Sequence, residues 1–508
     1  MQLTRRGFLE LATAVAGTGL LAACQAAATQ TAATAPAATA AAAGQAPIAT
    51  VLTAPTAVSA APTTAASGAA AAPSPTPAAA AATTGQTTPS AAGAAVRPVA
   101  GKPMYQQDAQ HTGRSPHAGP RQLPRLRRSF DTSLPANMPS DPATPRADFQ
   151  SSSVVGPDGT IYVANFPGTL FALKDSPSVS DTLDVAWRFH PPAASSFHAT
   201  PALSPDGATV YLGFAGGGAA APKATLYALQ APSSSGGEPR TLWTADLGAV
   251  RVMASPTVGP DGTIYIGTAG GQLFAIGSDG TPRWSAPTGP AIKSAPALAK
   301  DGTVYLPSAD GKLYAVSPQG QVRWSFVFAE HLGSTPLVTS DAAGPGGAAG
   351  GGNGIGSGAS PTVGPDGTVF IGANNSNLYA VTPDGRQKWL FEAERELAGI
   401  WTTPALSADG ATLYFGANKG GLYAINADSG TRRWQFPIYG SIYASSALDS
   451  AGILYTGTTI EHVYAVNAAS GEQLWDFDAH NQVWSAPSIR PDGTLVIADR
   501  SGLVQVLG

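Results

Sequence analysis

The chain has 508 residues and a single cysteine, Cys24. No disulfide can form within one chain, and no cysteine-based metal site or redox motif is available. Charge is sparse: 12% of residues are charged and the formal net charge is −4. Nothing in that balance points to nucleic acid or to an anionic membrane surface as partner. No His-Glu-x-x-His, P-loop or nucleophile-elbow pattern is present. The histidines, His111, His117, His190, His198, His331, His462 and His480, are scattered without local metal-ligand spacing. Gly344 to Gly358 is rich in glycine but has no Lys-Ser/Thr end, so it reads as a flexible insertion rather than a phosphate loop. A long apolar run is missing too. The stretch from Leu9 to Ala23 is rich in Ala and Gly, interrupted by Glu10, and too short for a persuasive spanning helix.

What is present falls into three regions. Residues 1–24 read as a targeting segment. Thr4-Arg5-Arg6-Gly7-Phe8-Leu9 resembles a twin-arginine export motif, and Leu21-Ala22-Ala23-Cys24 resembles the lipobox of bacterial lipoproteins. The resemblance implies cleavage before Cys24, a diacylglycerol on its thiol, and an extracytoplasmic protein anchored to a membrane. Residues 25–100 are Ala, Thr, Pro, Ser and Gly with almost nothing else, and no charge occurs between Glu10 and Arg97. So few large apolar groups cannot offset the entropy of ordering, which predicts a disordered tether spanning on the order of 50 Å.

Residues 101–508 carry a repeat. Its clearest copy runs Ser255-Pro256-Thr257-Val258, Asp261-Gly262, Ile264-Tyr265-Ile266-Gly267, Leu273-Phe274-Ala275-Ile276, Trp284. Eight Asp-Gly-type turns have their glycines at Gly159, Gly207, Gly262, Gly302, Gly367, Gly410, Gly452 and Gly493. Most are spaced by roughly 40 to 50 residues, the period of a four-stranded propeller blade. Asp tolerates the turn conformation and Gly supplies positive φ, so each site predicts a hairpin. A small residue follows the aromatic of the third strand, as in Tyr314-Ala315 and Tyr464-Ala465. The fourth strand carries Trp187, Trp243, Trp284, Trp324, Trp389, Trp434 or Trp475. One such unit is a sheet with two unburied faces; stacked radially, units bury each other and leave only short edges. The eighth unit, Ser485 to Leu507, has three strands, while Arg125 to Asp131 matches a fourth strand with no unit before it. This N-terminal strand is predicted to complete the eighth blade, with Arg128 in the tryptophan position. The fold class is therefore all-β, an eight-bladed propeller of four-stranded antiparallel blades.

The pattern Ser-x-Pro, Asp-Gly-Thr, Tyr, Gly, Leu-Tyr-Ala, Gly, Trp resembles the pyrroloquinoline-quinone-type propeller repeat across about 400 residues and all eight units. Asp108 to Pro116 resembles the lead-in common before such propellers, and the WD40 signature is missing. Members of this family include quinoprotein alcohol dehydrogenases, a lipoprotein subunit of the outer-membrane barrel assembly machinery, and exported binding proteins, so fold alone does not decide function. The dehydrogenases imply a vicinal Cys pair, calcium held by Glu and Asn, and a catalytic Asp. The chain offers no Cys pair and no match to the other ligands, which speaks against a quinone or calcium cofactor and against catalysis.

Subtracting the repeat leaves one variable residue before each innermost strand: Gln150, His198, Met253, Lys293, Gly358, Trp401, Tyr443 and Trp484, with Phe197 and Arg251 nearby. The resemblance implies that these surround one mouth of the central channel. Aromatics with a few polar groups suit a small ligand or a protein segment. Trp401 and Trp484 stand out as the only tryptophans outside the fourth-strand set. The expectation is a membrane-anchored binding or scaffold module whose ligand or partner meets this mouth; the alternatives are a quinone-dependent dehydrogenase with a reduced site, and an outer-membrane assembly lipoprotein.

Overall fold

The computed structural model describes residues 103–132, 149–165, 168–179, 181–191, 199–216, 223–232, 236–328, 359–393 and 399–508. Arg5, Arg6, Cys24, the tether, Phe197, His198 and the Gly344–Gly358 segment lie outside them.

In five of the eight blades an Asp-Gly-Thr signature closes the first hairpin by local chemistry. In the third blade Asp261 accepts the Thr263 amide at 3.1 Å and the Thr263 hydroxyl at 2.6 Å, while Gly262 takes φ of 78°. Burial opposes ionisation of Asp261, yet the Thr263 hydrogen bonds and the Arg283 guanidinium hold its carboxyl below the usual range. Four antiparallel strands follow one another in that blade: Thr257–Val258, Ile264–Gly267, Gln272–Ile276 and Pro282–Pro287.

Eight such sheets form. Seven are sequential; the eighth joins Ser488–Ile489, Leu495–Ala498 and Leu503–Leu507 to the N-terminal strand Leu126–Asp131, as predicted. The register is faithful to the other blades. Arg128 pairs with Val506 where Trp284 pairs with Ala275, and the same one-residue bulge precedes each in its strand.

The blades are joined by their tryptophans. Five indoles, Trp243, Trp284, Trp324, Trp389 and Trp434, lie on the outer turn of the next blade and donate their N–H to a carbonyl there, as Trp243 to Ser278 at 2.9 Å, Trp284 to Pro318 at 2.8 Å and Trp389 to Ala427 at 3.0 Å. The ring rests on a glycine; a methyl group on Gly320 would stand 2.7 Å from the Trp284 ring, and one on Gly430 2.8 Å from that of Trp389. Trp475 meets no such turn, because the eighth blade is split between the chain's two ends. Its N–H goes to the Pro120 carbonyl of the lead-in at 2.8 Å.

The seam between blades eight and one is built differently. Blade one has no glycine in its outer turn, Asp175 to Thr182, and blade eight has Arg128 instead of an indole. Arg128 stands 3.5 Å from Asp175, and Arg490, with a side chain only 8% exposed, reaches Asp175 at 3.1 Å and Asp492 at 3.5 Å. The Ser129 amide donates to the Asp181 carbonyl at 3.1 Å, and Phe130 packs on Phe171 with ring centroids 5.3 Å apart.

A second ring of contacts runs round the channel through hydroxyls. The Ser152 amide donates to Thr200 Oγ1, the Thr200 amide to Ser255 Oγ, the Ser360 amide to Thr403 Oγ1, the Thr403 amide to Ser445 Oγ and the Ala486 amide to Ser152 Oγ, all within 3.1 Å.

The lead-in closes one end of the channel. Antiparallel order puts the Asp-Gly turns on one face, and the second-to-third-strand turns and interblade loops on the other. At the Asp-Gly face the amides of Leu203, Leu298, Val363, Leu406 and Leu448 donate to the carbonyls of Pro103, Ala109, Gln110, Thr112 and Gly113, so the segment walks round the innermost strands. Tyr105 bridges Thr403 Oγ1 at 3.0 Å and Ser445 Oγ at 2.9 Å. His111 is fully buried, with Nδ1 3.0 Å from the Pro361 carbonyl, and burial lowers its pKa from 6.5 to about 4.

Two outcomes follow for stability. Trp389→Ala removes a buried indole and leaves Gly430 uncovered; thermal or urea unfolding is expected to show a loss of about 3–5 kcal/mol, with Gly430→Ala also destabilising. Between pH 6.5 and 4 the unfolded chain binds the proton that buried His111 refuses. Stability therefore falls as pH drops through that window, by up to about 3 kcal/mol. Burial pushes the nearby Asp108 carboxyl up, which acts in the opposite sense. The His111 share is therefore read as the difference between wild type and His111→Asn; Asn tolerates the φ of 58° found there.

Candidate functional site

The interblade loops end in a repeated alternation. Val252, Ile292, Ile400, Ile442 and Val483 are buried in the ring. All five sit where a methyl on a second-strand glycine would collide: Gly213 against Val252 at 2.8 Å, Gly267 against Ile292 at 2.3 Å, Gly372 against Ile400 at 2.5 Å, and Gly416 against Ile442 and Gly457 against Val483 at 2.4 Å. Successive side chains in extended backbone point to opposite sides. The next residue in each loop, Met253, Lys293, Trp401, Tyr443 or Trp484, is therefore turned away from that packing and towards the open mouth.

Three of these converge. Trp401, Tyr443 and Trp484 come from blades six, seven and eight, yet form one continuous stack. Trp401 and Tyr443 lie with centroids 5.1 Å apart and planes 28° apart; Tyr443 and Trp484 are 4.9 Å apart and inclined by 59°. All three are half-buried. The Trp484 indole donates to Gln482 Oε1 at 3.0 Å. The guanidinium of Arg500 covers the Trp484 ring at 4.0 Å, a cation–π contact that ends the stack.

The remaining residues of the sequence-derived set do not join the stack. Lys293 and Arg251 are exposed, and Gln150 and Met253 half-buried. His198 and Gly358 lie outside the described residues. In a closed ring of eight, blade four stands across from blade eight, which sets Lys293 opposite Trp484 and Met253 opposite Tyr443.

Arg500 is absent from the sequence-derived set. It lies in a second-to-third-strand turn, where its amide donates to the Gln482 carbonyl at 3.0 Å. Ala269, Asn418 and Thr459 make the same bond to their own interblade loops. Aligning those turns would have shown a small or uncharged residue at the other positions and an arginine here. Beneath it, burial pushes the Asp499 carboxyl up.

A cavity of about 1200 Å³ opens on the other face, between the lead-in and the Asp-Gly turns, lined by Met104, Ala109, Arg114, Leu203, Val258 and Arg433 among others. It contains none of the aromatic mouth residues.

Comparison with known proteins supports the same architecture. A family model described as outer membrane protein assembly factor BamB matches residues 222–349 and 350–447, under half of the chain. Among solved structures, the quinohemoprotein alcohol dehydrogenase from Comamonas testosteroni is 14% identical with a TM-score of 0.59, covering 80% of each chain. BamB from Moraxella catarrhalis is 15% identical with a TM-score of 0.50, covering 76% of this chain and 97% of its own. A europium-containing methanol dehydrogenase is 12% identical with a TM-score of 0.57, covering 80% of this chain and 98% of its own. A search of curated protein sequences finds no match. At such identities the likeness to solved structures is one of fold. By its repeat and by its fold, this chain is an eight-bladed β-propeller whose repeats resemble those of the pyrroloquinoline-quinone-like type.

Proposed function

We propose that this propeller is a binding or scaffold module that works outside the cytoplasm, held to a membrane by lipid on Cys24 and exported through Arg5 and Arg6. The observation that carries the binding role is the convergence of Trp401, Tyr443 and Trp484 at the mouth. Three residues with no place in the repeat, on three separate blades, meet where no blade needs them for packing. Large aromatics with an arginine are the side chains that dominate protein-recognition hot spots.

The quinone dehydrogenase chemistry of fold relatives does not fit these residues. The three rings stand about 5 Å apart, Trp401 stacked on Tyr443 and Trp484 inclined to it, which leaves no gap between them for a planar cofactor. Among the described residues no three of His, Cys, Asp and Glu converge as metal donors. The only cysteine of the chain is in the segment before the propeller, so no Cys pair stands at the mouth. No catalytic step is assigned. The family-model match favours a narrower form of the scaffold reading, assembly of outer-membrane proteins.

Trp484→Ala and Trp401→Ala are expected to leave the unfolding transition nearly unchanged and to abolish crosslinking from a photoreactive residue placed at Tyr443 in cells. A variant that fails to fold would place the rings in the structural core and overturn the site. A barrel-assembly component among the crosslinked partners supports the narrower form. For the anchor, Cys24→Ala is expected to move the protein from the membrane fraction to the soluble fraction; retention in the membrane would overturn lipidation.

A further inference from the structure

The ring of hydroxyls below the mouth is broken twice. At six of the eight seams an amide donates to the hydroxyl of the matching residue in the next blade: Ser152 to Thr200, Thr200 to Ser255, Ala295 to Ser360, Ser360 to Thr403, Thr403 to Ser445 and Ala486 to Ser152. At the other two seams the next blade offers Ala295 or Ala486, whose methyl group accepts nothing. The amides left over are those of Ser255 and Ser445. Both residues are buried, and among the described residues neither amide has a hydrogen-bond partner. A buried N–H left unpaired is rare and costly, so each of these two calls for an acceptor.

The two breaks differ in what stands over them. Side chains two residues apart in extended backbone share a side. Ser445 therefore lies one step below Tyr443, and Ala486 one step below Trp484. The Ser445 amide opens beneath a pair of rings whose centroids are 4.9 Å apart. Below it the floor is polar, since the Tyr105 hydroxyl of the lead-in lies 2.9 Å from Ser445 Oγ. The break between blades three and four stands below Met253 and the exposed Lys293 instead, neither of them aromatic. A free donor and apolar ring edges thus coincide at the seam of blades seven and eight.

We infer that this seam is a subsite for a main-chain carbonyl of an extended polypeptide segment. The carbonyl accepts from the Ser445 amide, and the apolar side chain beside it rests on the edges of Tyr443 and Trp484. A single N–H matches a single neutral acceptor; a carboxylate buried there would leave its second oxygen desolvated and unpaired. Trp401 is stacked on Tyr443 and Arg500 covers Trp484, so the flat faces that a sugar ring would lie on are taken while the edges stay free. The inference rests on the mouth being the binding site and adds the chemistry of what enters beneath the rings.

The test is NMR on the full chain with its serine nitrogens isotope-labelled, and the blocked tripeptide acetyl-Phe-Gly-Phe-amide as the probe. Ser445→Thr and Ser255→Thr assign the two amide signals, because threonine drops the label and keeps the hydroxyl. The probe is expected to move the Ser445 amide proton downfield and to leave that of Ser255 in place. Ala486→Ser supplies the missing hydroxyl at this break; it is expected to raise the melting temperature and to weaken the probe about tenfold. Ala295→Ser does the same at the other break and is expected to raise the melting temperature with probe affinity unchanged. A Ser445 signal that stays in place at the highest soluble probe concentration, or equal probe affinity in the two folded alanine variants, overturns the inference. So does a Ser445 shift caused by an N-acetylglucosamine trisaccharide and not by the tripeptide, which assigns the seam to a glycan. The shift is read on the unsubstituted seam, so it decides the matter even where Ala486→Ser does not fold. Suppose the Ser445 signal stays in place while crosslinking at Tyr443 still depends on Trp484; then the carbonyl subsite falls and the role of the mouth stands. Failure of both removes both.

Discussion

An indole laid on a glycine holds this ring together. A four-stranded blade has two faces to bury and no partner of its own, so its stability depends on how well it meets the next one. At five of the seams the tryptophan of the fourth strand supplies that meeting twice over. Its ring covers the backbone of a glycine that has no Cβ to obstruct it, and its N–H satisfies a turn carbonyl that would otherwise face an apolar surface. The alanine opposite each tryptophan in the third strand, such as Ala275 beside Trp284, leaves room for the bulky partner.

Ring closure obeys the same logic with different parts. A ring has one more seam than a linear stack, and here the last seam joins the two ends of the described propeller. Blade one brings no glycine, blade eight brings no tryptophan, and the pair is replaced by Arg128, Arg490, Asp175 and Asp492 above the apolar contact of Phe130 with Phe171. The lead-in supplies the missing outer turn through Pro120, then covers the innermost strands with residues 103–113. One segment thus repairs the split blade and seals one end of the channel. The outcome is a ring covered by the lead-in at one face and carrying the aromatic stack at the other.

Much of this was legible in the chain. Asp261-Gly262-Thr263 announces a hairpin by its own hydrogen bonds, and the spacing of its seven counterparts counts the blades. The closing strand was legible because Leu126 to Asp131 keeps the fourth-strand pattern without a unit of its own, and the register matches down to Arg128 opposite Val506. Trp401, Tyr443 and Trp484 were found by what the repeat does not require. Arg500 was missed: it lies in a connection where polar residues are ordinary, and only its contact with Trp484 marks it out.

Local chemistry and period are properties of the chain, so the sequence by itself determined strand type, turn type, blade number and the list of residues with no structural duty. Which of those residues meet is a property of the closed ring. Loops separated by about a blade's length of chain become neighbours only when the blades dock, and that brought Tyr443 against Trp401 on one side and Trp484 on the other, while leaving Lys293 and Arg251 across the channel. The direction of the lead-in, likewise, was decided by tertiary structure. Pro103 to Gly113 has little pattern of its own, and the unpaired amides of the innermost strands gave it a path.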